Sequence, residues 1–539
     1  MHDVMVLGTG AAGLAAALAA HEAGATVGLY EKADVVGGTT ALSGGIVWVP
    51  NNPHMAAAGL ADSREDALRY LDSLSLGMID TAMAETLIDT GPEVVTWLEE
   101  RTPLRLHVVA GYPDYHPEHP GGKPRGGRSL DPGLFAFEEL GVWADRVAQP
   151  MSLPRRNLLE SPLGGGTGQI EPAELEARER RDVRGRGQAL TGALLKACLD
   201  RGIEPVTGAA ADELVIEDGR VTGIRFAPGA PVSEVTARGG VILATGGFEW
   251  NPVMVRAFLR GPMTSPTTIP TNTGDGHRMA MRAGAALGLM GEAWWVPSAE
   301  VPGEELFGRQ RATLILRERT LPGSIMVNRR GRRFVNEAAN YNAMGGAFHQ
   351  FDPGRFQYAN LPCWLVFDTQ YVRTYGFVQA APGRAVPDWV TAAASLEELA
   401  AAIGVPAEAL VETVDQWNHM VAKGHDDDFQ RGDSAYDGWS GDQRFLGTKH
   451  ATLGPLTEPP FHAVELHSGT LGTKGGPRTN VDGQVLDFSG APILGLYAAG
   501  NAMAAPTGMV YGGAGGTLGP ALVFGFRAGR HAAHSVLTR

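Results

Sequence analysis

The sequence opens with a strand–turn–helix pattern that restricts the fold more than any other feature of the chain. Residues 4–7 are apolar, Gly8 to Gly13 read G-T-G-A-A-G, and an alanine-rich segment covers 14–23. Glycines at this spacing permit a tight turn, close approach of the backbone to a pyrophosphate and close packing of the helix on the strand. Glu31 follows a second strand predicted over 26–30, where a carboxylate can accept hydrogen bonds from ribose hydroxyls. The pattern predicts an α/β fold with a Rossmann-like dinucleotide site; the alternative is a glycine turn in a nucleotide-free α/β protein.

Composition favours a large folded protein over a disordered or nucleic-acid-binding chain. The 539 residues include 73 glycines without a G-x-y repeat, and 44% are hydrophobic, which is enough to build a core. The formal net charge of −14 disfavours nucleic acid as a partner. No apolar stretch approaches the roughly 18 residues of a membrane span, so we expect no transmembrane segment. Cys198 and Cys363 form no spaced pair and favour a reducing, cytoplasmic location.

Further glycine-rich segments indicate which dinucleotide is bound. Residues 31–32 read E-K, residues 37–45 read G-G-T-T-A-L-S-G-G, residues 244–248 read A-T-G-G-F, and residues 497–501 read Y-A-A-G-N. These segments resemble the large flavoprotein family that contains fumarate reductases, succinate dehydrogenases and ketosteroid dehydrogenases. In that family the G-G-T/S segment lies along the pyrophosphate and isoalloxazine of FAD. Members that bind FAD covalently place a His near the position of Gly38, so the resemblance implies non-covalent FAD here.

The resemblance implies FAD contacts at many positions along the chain. They are Gly8, Gly10, Ala12, Gly13, Glu31, Lys32, Gly38, Thr39, Thr40, Ser43, Gly44, Gly45, Ala244, Thr245, Gly246, Asp275, Gly500, Asn501, Thr517 and Leu518. No second G-x-G-x-x-G strand–helix unit is evident for a nicotinamide. We therefore expect an external electron acceptor such as a quinone, which is compatible with loose membrane association.

The glycine-rich loop near the C-terminus indicates the class of substrate. Residues 507–519 read T-G-M-V-Y-G-G-A-G-G-T-L-G and contain no cation that could bind a carboxylate. A phenol, backbone N–H groups and apolar side chains suit a neutral, apolar ketone better than a dicarboxylate. The loop resembles the C-terminal motif of 3-ketosteroid 1-dehydrogenases, in which a Tyr and a Gly four residues later polarise the C3 ketone. Those positions are Tyr511 and Gly515 here.

Two further segments resemble the same dehydrogenases. N-E-A-A-N-Y at 336–341 resembles the segment whose Tyr is the family's base, although Asn340 stands where Pro is usual, and Y-P-D-Y-H-P at 112–117 resembles the segment of the supporting Tyr. The resemblance implies that Tyr341 takes the C2 proton of a 3-ketosteroid, that Tyr115 supports it, and that the C1 hydride passes to flavin N5. A phenol has a pKa near 10, so it needs such a hydrogen bond to act as a base near pH 7.

The order of predicted elements indicates a FAD-binding domain, discontinuous in sequence, with an inserted α+β catalytic domain. We place the first part of the FAD domain at 1–297, the catalytic domain at 298–465 and the second part of the FAD domain at 466–539. Residues 121–185 are irregular and receive no role. H-P-E-H at 116–119 lacks the further ligands that a metal needs, so no metal is predicted. A basic cluster is interpreted as a solvated surface; it comprises Arg178, Arg180, Arg181, Arg184 and Arg186.

Three alternatives to a 1,2-dehydrogenase of 3-ketosteroids remain open at this point. The first is 4,5-desaturation of 5α-reduced 3-ketosteroids, against which the Tyr511 loop argues. The second is a flavin-dependent desaturase or reductase of a non-steroid enone or ketone. The third is a flavin-binding protein without turnover.

Overall fold

The computed structural model describes residues 1–378 and 380–537, which form a mixed α/β architecture with two large sheets. The strands are β1 (His2–Leu7), β2 (Val27–Tyr30), β3 (Val47–Trp48), β4 (His107–Ala110), β5 (Gly126–Asp131), β6 (Leu134–Ala136), β7 (Val183–Gly185), β8 (Pro205–Val206), β9 (Ala211–Glu217), β10 (Arg220–Phe226), β11 (Glu234–Leu243), β12 (Leu287–Gly288), β13 (Ala293–Leu306), β14 (Arg309–Leu314), β15 (Ser324–Asn328), β16 (Phe351–Asp352), β17 (Gln357–Tyr358), β18 (Cys363–Asp368), β19 (Thr391–Ala393), β20 (Phe461–Thr473), β21 (Gly476–Pro477), β22 (Gln484–Leu486) and β23 (Pro492–Ala498). The α-helices are α1 (Ala11–Glu22), α2 (Gly38–Leu42), α3 (Arg64–Leu74), α4 (Thr81–Arg101), α5 (Pro172–Arg180), α6 (Arg186–Leu199), α7 (Pro252–Phe258), α8 (Asp275–Arg282), α9 (Met344–Phe348), α10 (Thr369–Tyr375), α11 (Leu396–Ile403), α12 (Ala407–Lys423), α13 (Ala435–Ser440) and α14 (Leu518–Leu537). Short 3-10 helices cover Phe137–Arg146, Pro162–Gly164, Gln443–Phe445, Lys449–Ala451 and Gly500–Ala502.

The first sheet is built around the N-terminal strand. Strand β1 pairs in parallel with β2 on one side and with β11 on the other, and β8 and β23 extend the parallel order. Because helices cover both faces of such a sheet, the strand at its centre is a continuous apolar run, as residues 4–7 are. The antiparallel hairpin of β9 and β10 joins this sheet through β11. The predicted α/β fold class is confirmed.

Helix α14 packs on α1 so closely that glycine is required at the contact. A Cβ at Gly525 would lie 2.4 Å from the carbonyl oxygen of Ala12, and a Cβ at Gly529 would lie 2.2 Å from that of Ala16. The two glycines are one helical turn apart, so they share the face of α14 that meets the alanine-rich helix. The C-terminal helix is thereby fixed beside the N-terminal strand–turn–helix unit.

The second sheet is antiparallel and has the order β14-β13-β20-β18-β15, with β19 paired to β20. Helix α11 buries Leu399, and helix α12 buries Leu410 and Trp417, in a core that includes residues of this sheet. Strands β13 and β20 run across the predicted domain boundaries at 297 and 465, and the division into domains stays a prediction.

The irregular stretch at 121–185 contains strands β5, β6 and β7 and helix α5. Strand β5 is buried and pairs with β3 and β4. The Ser129 hydroxyl donates to the carbonyl oxygen of Ala514 at 2.8 Å, so this stretch supports the C-terminal loop. No helix within the described ranges is long and apolar enough to cross a membrane.

A buried ionic network fixes the segment that precedes Tyr341. Arg333 Nη2 lies 2.8 Å from a carboxylate oxygen of Glu337 and 2.8 Å from one of Asp426, and Arg431 Nη1 lies 3.2 Å from Glu337. Burial alone would raise the pKa of Glu337, but the two guanidinium groups hold it below its usual value. The Glu337 carboxylate also accepts the backbone N–H of Met326 at 3.1 Å, which ties the segment to strand β15.

We expect Glu337→Gln to destabilise the protein strongly. Removing one partner of a buried network leaves buried charge without compensation, which costs about 3–5 kcal/mol. Thermal melting of the FAD-saturated protein measures the effect. Glu412→Gln is the control, because the Arg332–Glu412 pair is exposed and such pairs contribute less than about 1 kcal/mol. Equal melting temperatures for the two variants would contradict a stabilising role for the network.

Candidate active site

A cavity of about 650 Å³ lies between the first sheet and the second. Residues from the chain segments that build each of the two sheets form the cavity wall. All of the predicted FAD contacts except Gly13 are among these wall residues. These wall residues are Gly8, Gly10, Ala12, Glu31, Lys32, Gly38, Thr39, Thr40, Ser43, Gly44, Gly45, Ala244, Thr245, Gly246, Asp275, Gly500, Asn501, Thr517 and Leu518. The four predicted catalytic residues, Tyr115, Tyr341, Tyr511 and Gly515, lie on the same wall.

The turn between β1 and α1 depends on two glycines that act in different ways. Gly8 has a φ of +106°, and a Cβ there would lie 2.2 Å from the carbonyl oxygen of Ala244. A Cβ at Gly13 would lie 1.9 Å from the Gly8 carbonyl oxygen. Gly13 therefore does not face the cavity; it permits the helix to pack closely against the turn. Helix α1 begins at the wall with Ala11 and Ala12, and a helix N-terminus favours a phosphate.

Glu31 and Lys32 are each held by neighbouring polar groups. Glu31 accepts hydrogen bonds from the backbone N–H of Thr9 at 3.1 Å and from its hydroxyl at 2.6 Å. Burial raises the pKa of Glu31 above its usual value. Lys32 Nζ lies 2.8 Å from a carboxylate oxygen of Asp275 and donates to the hydroxyl of Thr273 at 2.6 Å. Predicted cofactor residues far apart in sequence are therefore fixed to one another.

Three phenols form a hydrogen-bonded chain on the cavity wall. The Tyr115 hydroxyl donates to Tyr341 Oη at 2.6 Å, and the Tyr341 hydroxyl donates to Tyr511 Oη at 3.0 Å. All three side chains are buried, and their ring centroids are 5.0 to 5.5 Å apart. The fold thus brings together the three tyrosines that the sequence analysis predicted, while the role of each stays a prediction.

The C-terminal loop is held against the Tyr115 segment by its backbone. The N–H of Tyr115 donates to the carbonyl oxygen of Gly512 at 2.9 Å, and the Tyr70 hydroxyl donates to the same oxygen at 2.7 Å. Gly515 has a φ of +95°, and a Cβ there would lie 2.5 Å from the carbonyl oxygen of Ile46. Only glycine fits this close approach, and the N–H of Gly515 has no hydrogen-bond acceptor within the described residues.

Asn340, which stands where the related dehydrogenases usually have proline, joins the two tyrosine segments. Its Nδ2 lies 2.9 Å from Nε2 of His116, the residue after Tyr115. Arg319 donates to the carbonyl oxygen of Ala339 at 2.8 Å and fixes the same segment from the other side. The departure from the family pattern therefore adds a polar contact that aligns Tyr341 with Tyr115.

Burial dominates the ionisation of these phenols. Burial, followed by the neighbouring phenols, raises the pKa of Tyr341 and of Tyr115 well above the usual value of 10. Burial also raises the pKa of Tyr511, while hydrogen bonds from Tyr341, Thr517 and Tyr115 lower it. Ionisation of a phenol here needs the hydrogen bonds that the chain supplies.

The sequence analysis missed several residues of the wall. Tyr112 and five apolar side chains form its apolar part; the apolar residues are Leu158, Leu163, Leu314, Leu316 and Leu471. Two cations, Arg186 and Arg311, also line it. The interpretation of the basic cluster as a solvated surface is wrong for Arg186, which lines the cavity, and for Arg178, which is buried and paired with Glu160. It is also wrong for Arg184, whose side chain is 2% exposed and lies over the Phe137 ring. Tyr112 and Arg186 belong to segments that the sequence singled out for other reasons, the Y-P-D-Y-H-P segment and the basic cluster. No sequence pattern marked the five leucines or Arg311, because their contacts with the cavity depend on the fold.

Comparison with known proteins identifies the family. The model of the family described as "FAD binding domain" matches residues 3–518. A 4-oxocyclohexanecarboxylate 2-dehydrogenase from Sinomonas cyclohexanicum is 38% identical over 536 residues, which cover 98% of this chain and 92% of that protein. A 3-oxosteroid 1-dehydrogenase from Mycobacterium tuberculosis is 38% identical over 566 residues, which cover 98% of each. The crystal structure of 3-ketosteroid delta1-dehydrogenase from Sterolibacterium denitrificans, in complex with 1,4-androstadiene-3,17-dione, matches with a TM-score of 0.91 at 36% identity and 99% coverage of both chains. This chain belongs to the FAD-binding family and is an FAD-dependent oxidoreductase, so the predicted family and cofactor are confirmed.

The cavity fits FAD in its polar groups as well as in its shape. Thr245 Oγ1 and Arg186 Nε are buried without a hydrogen-bond partner, although both residues lie on the wall. Buried polar atoms are rarely left without a partner, so these two indicate a ligand that supplies one. A Cβ at Gly38 or at Gly44, both on the wall, would meet no protein atom within 4 Å, so the glycine backbone leaves open space for a dinucleotide there.

Non-covalent attachment of FAD stays a prediction, and acid denaturation checks it. Gly38 carries no side chain to bond the flavin, and a Cβ there would meet no atom within 4 Å. We expect trichloroacetic acid to leave a yellow supernatant over a colourless pellet. A yellow pellet that keeps its colour after washing would contradict the prediction.

Proposed function

We propose that this flavoenzyme catalyses the 1,2-dehydrogenation of 3-ketosteroids. The observation that carries the proposal is the hydrogen-bonded chain of Tyr115, Tyr341 and Tyr511 on the wall of the FAD cavity, with Gly515 on the same wall. The similarity to 3-oxosteroid 1-dehydrogenases over nearly the whole chain supports it.

Tyr511 and Gly515 hold the ketone in this proposal. Both residues line the cavity, and the proposal has the phenol and the Gly515 N–H donate hydrogen bonds to the ketone oxygen. Loss of a proton beside the ketone places negative charge on that oxygen, and fixed donors stabilise the charge as an oxyanion hole does. The two groups therefore lower the barrier to breaking the C2–H bond.

Tyr341 accepts the C2 proton. The 2.6 Å hydrogen bond from Tyr115 stabilises the phenolate form that can act as a base. When bound, FAD would supply the two-electron oxidant for this reaction as acceptor of the hydride that leaves C1. The balance is one proton to Tyr341 and one hydride to FAD, with a double bond formed between C1 and C2.

The apolar part of the wall suits a flat, apolar substrate. Leu158, Leu314 and Leu471 belong to the same buried cluster as the three tyrosines or pack against it. Such walls exclude water, which strengthens the hydrogen bonds at the ketone and protects the phenolate from solvent protons. Buried apolar surface also contributes most of the affinity for a hydrophobic ring system.

We further propose that a small external acceptor such as a quinone reoxidises the FAD. The sequence carries one dinucleotide fingerprint, at Gly8 to Gly13, and that fingerprint is used for FAD. A cytoplasmic location is part of the proposal, since both cysteines, Cys198 and Cys363, are buried and unpaired.

A second candidate is the same dehydrogenation of a smaller cyclic ketone that carries a carboxylate. Its support is the 38% identity to a 4-oxocyclohexanecarboxylate 2-dehydrogenase and the presence of two arginines, Arg186 and Arg311, on the cavity wall. The C-terminal loop lacks a cation, as the sequence analysis noted, but the cavity as a whole does not.

Anaerobic reduction of the bound flavin by a ketone tests the proposal. We expect 5α-androstane-3,17-dione and androst-4-ene-3,17-dione to bleach the flavin absorbance, and product analysis to find a new 1,2 double bond in each. A 4,5 double bond from the 5α-reduced steroid would favour the rival desaturation. Bleaching by 4-oxocyclohexanecarboxylate alone would favour the second candidate, and no bleaching by any ketone would favour flavin binding without turnover.

We expect Tyr511→Phe and Tyr341→Phe each to slow flavin reduction by at least about 100-fold, because each removes a donor or a base from the transition state. FAD content should stay normal. Tyr436→Phe is the control, since this buried ring contacts Tyr115 at 5.0 Å without lying on the cavity wall. Stopped-flow absorbance measures the rate, and near-normal reduction in either test variant would contradict the assigned role.

Flavin reduction should accelerate as the pH rises. A base whose pKa is raised by burial is mostly protonated near pH 7, so its reactive fraction grows about tenfold per pH unit below that pKa. Tyr115→Phe should move the rise to higher pH, because the phenolate of Tyr341 loses its donor. Rates between about pH 6 and pH 9 measure this, and a flat profile in the wild type would exclude a phenol as the base.

A further inference from the structure

Arg186 is a cation on the cavity wall to which the proposed reaction gives no role. It is the first residue of α6, its Nε is buried without a hydrogen-bond partner, and it has no ion pair with a carboxylate within the described ranges. The other arginine on the wall, Arg311, is paired with Glu304. A buried polar nitrogen without a hydrogen-bond partner is costly, so the Nε of this wall residue indicates a ligand in the cavity.

The backbone at Arg186 adopts a conformation that favours glycine. Its φ is +57°, in the left-handed region, which is uncommon and strained for a long side chain. The flanking glycines fix this geometry. The N–H of Gly185 donates to the carbonyl oxygen of Pro154 at 2.7 Å, and the N–H of Gly187 donates to the carbonyl oxygen of Ser43 at 3.1 Å. Strain of this kind is concentrated at functional sites.

Close backbone contacts place Arg186 beside the segment expected to face the flavin ring. A Cβ at Gly45 would lie 2.4 Å from the backbone of Arg186, and a Cβ at Gly515 would lie 2.5 Å from that of Ile46. The adjacent residues Gly45 and Ile46 therefore separate Arg186 from the ketone-binding Gly515. The arginine lies at the flavin end of the cavity, one short segment away from the proposed reaction centre.

Neighbouring charges leave the guanidinium only partly compensated. Asp131 is fully buried, and its carboxylate accepts the N–H groups of Gly133 and Leu158, both at 2.7 Å. It acts on Arg186 at a distance, and the nearby cation Arg156 opposes it. Burial lowers the pKa of Arg186, yet a guanidinium remains charged in proteins.

We propose that Arg186 is a positively charged contact for the isoalloxazine ring of FAD and favours its reduced state. Reduction adds negative charge to the ring, and a cation in a water-poor cavity stabilises that charge more than it would in water. The arginine thereby makes the bound flavin a stronger acceptor for the hydride. The inference requires FAD binding but does not depend on which ketone is the substrate.

The midpoint potential of the purified holoenzyme, measured by dye equilibration without any ketone, tests the proposal. We expect Arg186→Met to lower the ratio of reduced to oxidised FAD at a fixed potential by about tenfold, which is a shift of about 30 mV to a more negative potential. Arg186→Lys should recover most of the ratio because it keeps the charge. Arg156→Met is the matched control, since it removes a nearby cation that is not on the cavity wall, and it should change the ratio little.

An unchanged potential in Arg186→Met with normal FAD content would overturn the proposal. An unchanged potential together with a tenfold higher KM for 4-oxocyclohexanecarboxylate, but not for androst-4-ene-3,17-dione, would also overturn it and assign the arginine to a substrate carboxylate. Should Arg186→Met not fold, Arg186→Asn decides by the same measurement, because asparagine tolerates a positive φ. An Arg156→Met shift as large as that of Arg186→Met would likewise contradict a specific contact.

Discussion

Close backbone approach through glycine is the constraint on which the rest of this structure depends. The helix after the first strand reaches the turn only because Gly13 carries no side chain, and α14 reaches that helix only because of Gly525 and Gly529. These contacts set the direction of α14, and the loop before it follows from them. Tyr511 and Gly515, more than 490 residues from the first strand, therefore lie on the wall of the cavity that the first turn opens.

The chemistry of the site follows from convergence of three separate chain segments. Tyr115 comes from the stretch before β5, Tyr341 from the segment after β15, and Tyr511 from the loop before α14. Burial raises the pKa of each phenol and so disfavours ionisation of any one of them alone. Hydrogen bonds from neighbouring groups lower the pKa of Tyr341 and of Tyr511 against that effect. The Glu337 network holds the segment before Tyr341, and a buried ion pair between Arg128 and Asp114, at 2.8 Å, holds the residue before Tyr115.

The sequence predicted the parts of the site that consist of short local patterns. The spacing of Gly8 to Gly13 predicted the α/β fold, and the resemblance of residues 37–45, 244–248 and 497–501 to a flavoprotein family indicated FAD. The position of Arg186 on the wall could not be inferred, because it depends on contacts of its neighbours with Ser43 and Pro154, which are distant in sequence. The contact of Asn340 with His116 could not be predicted from the sequence either, because only the fold brings the two tyrosine segments side by side.

Almost all of the flavin-facing wall belongs to the parts of the chain that build the first sheet, whereas Tyr341 is supplied by the part that builds the second. The absorbance of the bound flavin and the catalytic activity therefore depend on different regions of the chain. Under the proposed mechanism, a molecule that has lost its Glu337 network would keep its yellow flavin while Tyr341, the proposed proton acceptor, is displaced. Spectroscopic flavin content measures cofactor loading of this enzyme, and only the response of that flavin to a ketone measures how much of the preparation is intact.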